Sequence, residues 1–322
     1  MNSFKTTLGI ASLLIAGAAM AEPYPSKPVT LVVAFPPGGA SDAIGRLVAE
    51  GLTKQTGQMV IVENRAGFGG NVGAKFVSKA PSDGYTLLMC AISAASVSQT
   101  LTPSQAGYRL EKDFVAISML GKSPMSLVVN STVPVNSLGD FIRLAKEKPK
   151  QLTYSSAGSG TMQHMAAELF QLMTGTQLVH VPYKGSGPSM VDLLGGQVYS
   201  TFENGPAIAP FIKSGKLKVL AYANESRSTL TPDVPTADES GLPGFNVSAL
   251  YGLLAPAGTP QPIIEKLNAE VKTLLEQQSM RAALAQQGVE STYSTPADAA
   301  KQIKNEVARW AKVIKDAQIT AD

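Results

Sequence analysis

A buried strand that runs through a glycine turn into a helix is the feature that most restricts the fold of this chain. Residues 29–35 form an almost continuous apolar run, typical of a parallel strand covered on both faces. Pro36 and Pro37 end this strand, and Gly38 and Gly39 allow the positive φ and close backbone approach of a tight turn. The unit predicts an α/β fold in which helices flank a mixed or parallel sheet.

The helix after this turn begins where an anion could bind. Ser41 or Asp42 is placed to cap its first turn, and its apolar stripe comprises Ile44, Leu47, Val48 and Leu52. Free backbone amides at a helix start carry roughly half a positive charge from the helix dipole, and small side chains leave room for a carboxylate. The alternative is an ordinary strand-to-helix connection in which the prolines only end the strand.

A second unit of the same kind lies near the middle of the chain. Strand residues 152–155 lead into the turn 156–161, which opens a helix over residues 162–174. The hydroxyls and glycine amides of this turn can donate hydrogen bonds to carboxylate oxygens, although any single serine could instead only cap the helix. If the two turns lie on separate domains that face each other, they predict one anion site between them.

Composition and motifs argue against several other functions. A net charge of +3 over 322 residues is too weak and dispersed for a nucleic-acid surface. The only histidines are His164 and His180, and residues 39–43 lack the last glycine of a G-x-S-x-G turn, which disfavours a serine hydrolase. The glycines of residues 67–73 depart from a dinucleotide fingerprint. No pattern predicts a metal or another cofactor, and the lone Cys90 is expected to be a packed small hydrophobe.

The N-terminus and two apolar stretches predict the organisation of the chain. Residues 1–21 have a basic start, a short apolar core and an A-x-A end, so we expect a signal peptide cleaved after Ala21 and an exported, periplasmic protein. Residues 114–130 and 247–255 are expected to carry the chain to a second domain and back, forming a hinge. The predicted domains are 22–122 plus 245–322, and 123–244.

Three further local features are expected. Residues 91–96, which follow a third predicted strand, should form a loop beside the first glycine turn. Thr259 is expected to cap a helix, and a last helix is expected to begin at Pro296.

An ordered set of short motifs carries a resemblance to a known family. They lie at residues 24–28, 35–39 with Asp42, 62–65, 80–87, 159–161 with His164, 181–185, 232–236 and 241–244. In this order, over essentially the whole mature chain, they resemble the tripartite tricarboxylate transporter family of periplasmic solute-binding proteins, also called Bug receptors. The chain departs from the family pattern at Tyr199, where an acidic residue is common, and at residues 90–92.

The resemblance implies a type II-like periplasmic-binding-protein fold of two α/β domains joined by two crossing strands. It further implies a monomer without a cofactor that closes on a small organic carboxylate, a di- or tricarboxylate or an aromatic acid, and delivers it to a tripartite tricarboxylate-type permease. Carried over to this sequence, the ligand-binding residues are Phe35, Pro37, Gly38, Gly39, Ala40, Ser41, Asp42, Ile92, Ser93, Ser156, Ala157, Gly158, Ser159, Gly160, Thr161, Tyr183, Glu203 and Asn204. The alternatives are a carboxylate sensor that acts on a membrane signalling protein and a periplasmic hydrolase.

Overall fold

The computed structural model describes residues 24–227 and 231–320, so the predicted signal peptide lies outside the described residues. The first part of the chain contains β1 (Val29–Val33), α1 (Ala40–Thr56), β2 (Val60–Asn64), α2 (Asn71–Val77), β3 (Thr86–Ala91), α3 (Ile92–Leu101), α4 (Pro103–Ala106), α5 (Leu110–Asp113) and β4 (Phe114–Asn130). The middle contains α6 (Leu138–Glu147), β5 (Thr153–Ser156), α7 (Met162–Thr174), β6 (Val179–Pro182), α8 (Ser186–Leu194), β7 (Ser200–Asn204), α9 (Gly205–Lys213) and β8 (Leu217–Ala223). The last part contains β9 (Ser248–Pro256), α10 (Gln261–Glu276), α11 (Gln278–Gln286), β10 (Glu290–Ser291) and α12 (Pro296–Asp316).

The strands form two mixed sheets that share β4. In the first sheet, β1 pairs in parallel with β2 and β3, and β3 pairs antiparallel with β9, which continues to β4. In the second sheet, β5 pairs in parallel with β6 and β7, and β7 and β8 flank β4 antiparallel. Helices flank both sheets, which confirms the predicted α/β fold.

Strand β4 is long enough to belong to both sheets. Its residues 114–124 pair with β9, whereas residues 125–130 pair with β7 and β8. The chain returns beside it, because the Val247 carbonyl accepts from the Met125 amide and β9 then enters the first sheet. These are the two apolar stretches that the sequence predicts as crossings.

The two sheets have separate apolar cores, and helix α12 packs against both. Its early residues Ala299 and Ile303 lie in a core of the first sheet, whereas Trp310 and Val313 pack with the core of the second sheet. The predicted domain 22–122 plus 245–322 includes the whole of α12, and the last turns of this helix also contact the core of the second sheet. No helix in residues 24–227 or 231–320 is long and apolar enough to cross a membrane.

Three local expectations differ from the structure. The segment after β3, expected as a loop, is helix α3, which begins directly at Ile92. Thr259, expected to cap a helix, donates to the Pro256 carbonyl at 2.8 Å, and α10 begins two residues later at Gln261. The N-cap of α1 is Gly39 and has no side-chain hydrogen bond, so neither Ser41 nor Asp42 caps this helix.

Candidate functional site

A cavity of about 410 Å³ lies where both sheets and both crossing strands meet. The first sheet and its helices contribute Phe35, Ser41, Phe68, Gly69, Asn71, Ala91, Ser93, Ala94, Val97, Ser98, Leu101, Thr102 and Gln105. The second sheet and its helices contribute Ser159, Gly160, Thr161, Met162, Gln163, Glu203 and Asn204, and the crossing strands contribute Met125, Ala249, Leu250 and Tyr251. A volume of this order suits a small organic molecule.

Four helices begin at this cavity. Helices α1 and α3 come from the first half of the chain, and α7 and α9 come from the second, each with a cavity-lining residue at its N-cap or in its first turn. None of the four N-cap residues makes a side-chain capping bond, so the caps leave first-turn amides available. Because each helix start carries about half a positive charge, their convergence favours an anionic group although the lining contains no lysine or arginine.

The first glycine turn is held by the Asp42 carboxylate, which is buried and absent from the cavity lining. It accepts from Arg46 Nε at 2.9 Å, from the Gly38 amide at 3.0 Å and from Asn64 Nδ2 at 2.8 Å. The hydrogen bond from Arg46 is the largest cause that lowers the pKa of Asp42 from 3.8 to about 2. The Asp42 carboxylate therefore stabilises the turn and does not line the cavity.

The second glycine turn is held by hydroxyl and imidazole groups. The Ser156 hydroxyl is fully buried, lies 2.6 Å from His180 Nε2 and accepts from the Gly158 amide at 3.1 Å. The Gly160 amide donates to His164 Nδ1 at 3.0 Å. The Thr161 hydroxyl donates to the Gly158 carbonyl at 2.7 Å, so this hydroxyl proton is used inside the turn. The imidazole rings of the two histidines stack with centroids 4.1 Å apart, behind the turn.

The structure brings eight of the predicted site residues together in the cavity lining: Phe35, Ser41, Ser93, Ser159, Gly160, Thr161, Glu203 and Asn204. Ten others lie outside the lining: Pro37, Gly38, Gly39, Ala40, Asp42, Ile92, Ser156, Ala157, Gly158 and Tyr183. Several of these form the turns that shape the site, as Gly38, Asp42, Ser156 and Gly158 show. The Tyr183 hydroxyl instead donates to Asp192 at 2.6 Å.

Ser93 lines the cavity, but its hydroxyl is engaged by the crossing segment and by α12. It lies 2.5 Å from the Glu306 carboxylate and 3.2 Å from the Ser248 carbonyl, and it accepts from the Leu250 amide at 3.1 Å. Trp310 Nε1 donates to the same carboxylate at 2.6 Å. This buried network therefore connects the start of α3 to the segment that joins the two sheets.

Glu203 is the only ionisable acid or base in the lining apart from the phenol of Tyr251. It lies at the end of β7 and is 97% buried, since only 3% of its surface is exposed. Burial is the largest cause that raises the pKa of its carboxyl above the ordinary value, while hydrogen bonds from Asn204, Gln163 and Ser186 oppose the rise.

Sequence reasoning missed the apolar wall of the cavity, which consists of Phe68, Val97, Leu101, Met125, Met162 and Tyr251. It also missed the polar residues Asn71, Ser98, Thr102, Gln105 and Gln163. A signal for part of this wall exists, because positions 94, 97, 98 and 101 have the spacing of one helix face. The sequence gives no comparable signal for Met125 or Tyr251, which reach the cavity from the crossing strands.

Two sheets that share a crossing strand, with helix starts from both halves facing one cavity, define the periplasmic-binding-protein class of solute receptor. The family model described as "Tripartite tricarboxylate transporter family receptor" matches residues 44–319. The chain therefore belongs to this family, which confirms the resemblance seen in its motifs. The fold and the family are those of substrate-binding receptors rather than of enzymes.

Individual relatives are similar to this chain over almost its whole length. Protein BugT of Bordetella pertussis is 40% identical, with 95% of this chain and 94% of the relative covered. The structure of R. palustris Rpa4515 with adipate is 36% identical with a TM-score of 0.79, covering 92% of this chain and 99% of that one. The structure of MatC from Rhodopseudomonas palustris with bound malate is 34% identical with a TM-score of 0.76, covering 90% of this chain and 100% of that one.

Proposed function

We propose that this chain is an exported receptor that captures a small organic carboxylate in the cavity and delivers it to a membrane permease of the tripartite tricarboxylate type. The observation that carries the proposal is the meeting of four helix starts, none capped by its N-cap side chain, at a lining without lysine or arginine. Backbone amides and helix dipoles can hold a carboxylate there without a full counter-charge. The similar structures with adipate and malate support this ligand class.

The capture step is closure of two lobes, 22–122 plus 245–322 and 123–244, about the crossing strands. Support comes from β4, which changes partners between Pro124 and Met125, and from the return crossing beside it. The lining residues divide between the two lobes, so closure would bring donors onto a ligand from both sides. The receptor acts as a monomer in the periplasm after cleavage of residues 1–21.

A ligand screen by thermal shift and calorimetry tests the proposal. Adipate, malate, citrate and benzoate are compared with glucose and AMP on the purified mature chain. A bound acid at a hundredfold excess over its Kd should raise the free energy of unfolding by about 2.7 kcal/mol. Stabilisation by glucose or AMP, with none by any acid, would contradict the proposed ligand class.

A further inference from the structure

A carboxylate such as that of Glu203 is unexpected in the lining of a cavity that is proposed to bind an anion. Its partners are donors: the Asn204 amide donates to Oε1 at 3.0 Å, and Gln163 Nε2 donates to Oε2 at 3.3 Å. A backbone amide and a carboxamide NH₂ can only donate, so both carboxylate oxygens accept hydrogen bonds. This arrangement suits the ionised form of the side chain.

When it is ionised, the Glu203 carboxylate has no full counter-charge in the part of the chain that the structure describes. No lysine or arginine within residues 24–227 and 231–320 forms a salt bridge with it. The starts of α7 and α9, to which Gln163 and Asn204 belong, provide only partial charges. A buried carboxylate without a cationic partner is costly, and the cavity is the space from which a partner can come.

Tyr251 is a second ionisable residue of the cavity lining, and it lies close enough to Glu203 to be affected by its charge. Its ring lines the cavity from β9, and burial together with the nearby Glu203 charge raises the pKa of its phenol to about 12. Within the described residues its hydroxyl has no hydrogen-bond partner, whereas the hydroxyls of Tyr108 and Tyr183 have one. The lining near Glu203 therefore combines a carboxylate with the Tyr251 hydroxyl, which has no hydrogen-bond partner among the described residues.

We propose, as an extension of the receptor function above, that the ligand is an α-amino carboxylate whose ammonium group pairs with Glu203. Its carboxylate binds at the starts of α1, α3 and α7. The ammonium and carboxylate groups of such a ligand are attached to the same carbon, so one small molecule can satisfy both charges of the site. The side chain of the ligand contacts four residues of the apolar wall, namely Val97, Leu101, Met125 and Met162.

Matched ligand pairs test this assignment on the wild-type chain by calorimetry. Each pair differs only in the amino group: L-glutamate and glutarate, L-leucine and 4-methylpentanoate, and L-phenylalanine and 3-phenylpropionate. We expect the amino member of at least one pair to bind tenfold or more tightly than its partner. If adipate, malate or a deamino acid binds and no amino acid binds more tightly than its partner, the assignment is overturned while the receptor function stands. If no carboxylate binds, both proposals fail.

Glu203→Gln tests whether the preference for the amino member of a pair depends on this side chain, because the substitution removes the charge and keeps the size. We expect it to weaken amino-acid binding by tenfold or more and to leave the deamino acid unchanged or tighter. Glu168→Gln is the matched control, since Glu168 is a largely buried carboxyl of the same half that accepts from Tyr154 and lies outside the lining. Equal amino-acid affinity in Glu203→Gln and wild type would overturn the assignment, and Glu203→Asp provides a charged variant if the glutamine variant does not fold.

Discussion

The two glycine turns share a sequence pattern and are fixed by different chemistry. The first is held by an ionised side chain, because Asp42 binds the Gly38 amide and the Arg46 guanidinium. The second is held by hydroxyl and imidazole groups, because the Ser156 hydroxyl accepts from the Gly158 amide and an imidazole nitrogen of His164 accepts from the Gly160 amide. A strand, a glycine turn and a helix therefore specify the shape of the backbone, whereas residues distant in sequence determine what stabilises it.

Gly160→Ala should have the largest effect, because it alters the turn that faces the opposite half of the cavity. Gly160 has φ +76°, and an added Cβ would lie 2.9 Å from Leu101 Cδ2 of α3. We expect a loss of about 1–2 kcal/mol in stability from the left-handed backbone and at least a tenfold loss of affinity. Denaturant unfolding and calorimetry measure the two effects.

Gly57→Ala is the matched control for this variant. Gly57 has φ +72° and no atom within 4 Å of an added Cβ, and it lies outside the cavity lining. It should lose similar stability and keep full affinity. Equal affinities in both variants would mean that the second turn does not contribute to the site.

Asp42→Asn should destabilise the first turn with a defined pH dependence. The pKa of Asp42 is lowered from 3.8 to about 2, so its stabilisation is present above pH 4 and is lost as the pH falls towards 2. We expect a loss of about 1–2 kcal/mol at pH 7, since solvent screens the half-exposed Arg46. Denaturant unfolding from pH 7 to pH 2 should show the difference from wild type shrinking below pH 4; a constant difference would contradict the ion-pair account.

Serine-to-alanine variants in the two turns should have smaller effects, on binding in the first turn and on stability in the second. Ser41 lines the cavity, and its hydroxyl has no hydrogen bond within the described residues, so Ser41→Ala should cost up to about 1 kcal/mol of binding and little stability. Ser156→Ala should cost about 1 kcal/mol of stability, because the Gly158 amide loses its partner. A loss of affinity in Ser156→Ala at unchanged stability would favour the direct ligand contact that the sequence predicts.

Much of the fold can be predicted because its signals are local. The apolar run of β1, the stripe of α1 and the long helix from Pro296 each lie within one element, and the structure confirms them. Helix α3 has only a weak signal in the sequence, because residues 92–101 are mostly small or hydroxylated and have a weak apolar stripe. Its position depends on packing against α12, which lies about two hundred residues later.

The site is less predictable, because its details depend on pairing across the fold. The parallel register of β5 and β6 sets Tyr154 beside His180, which brings the imidazole to Ser156. Nothing in the sequence of either strand shows this contact. The presence of Glu203 at a strand end is visible in the sequence. Its burial, and the lack of a lysine or arginine partner among residues 24–227 and 231–320, become apparent only in the folded chain.

A crystal structure with the most stabilising carboxylate from the screen tests the central claim most directly. We predict ligand carboxylate oxygens within about 3 Å of first-turn backbone nitrogens, with contacts to helices from both halves of the chain. A ligand held by a lysine or arginine outside this cavity, or one that contacts a single half, would contradict the account.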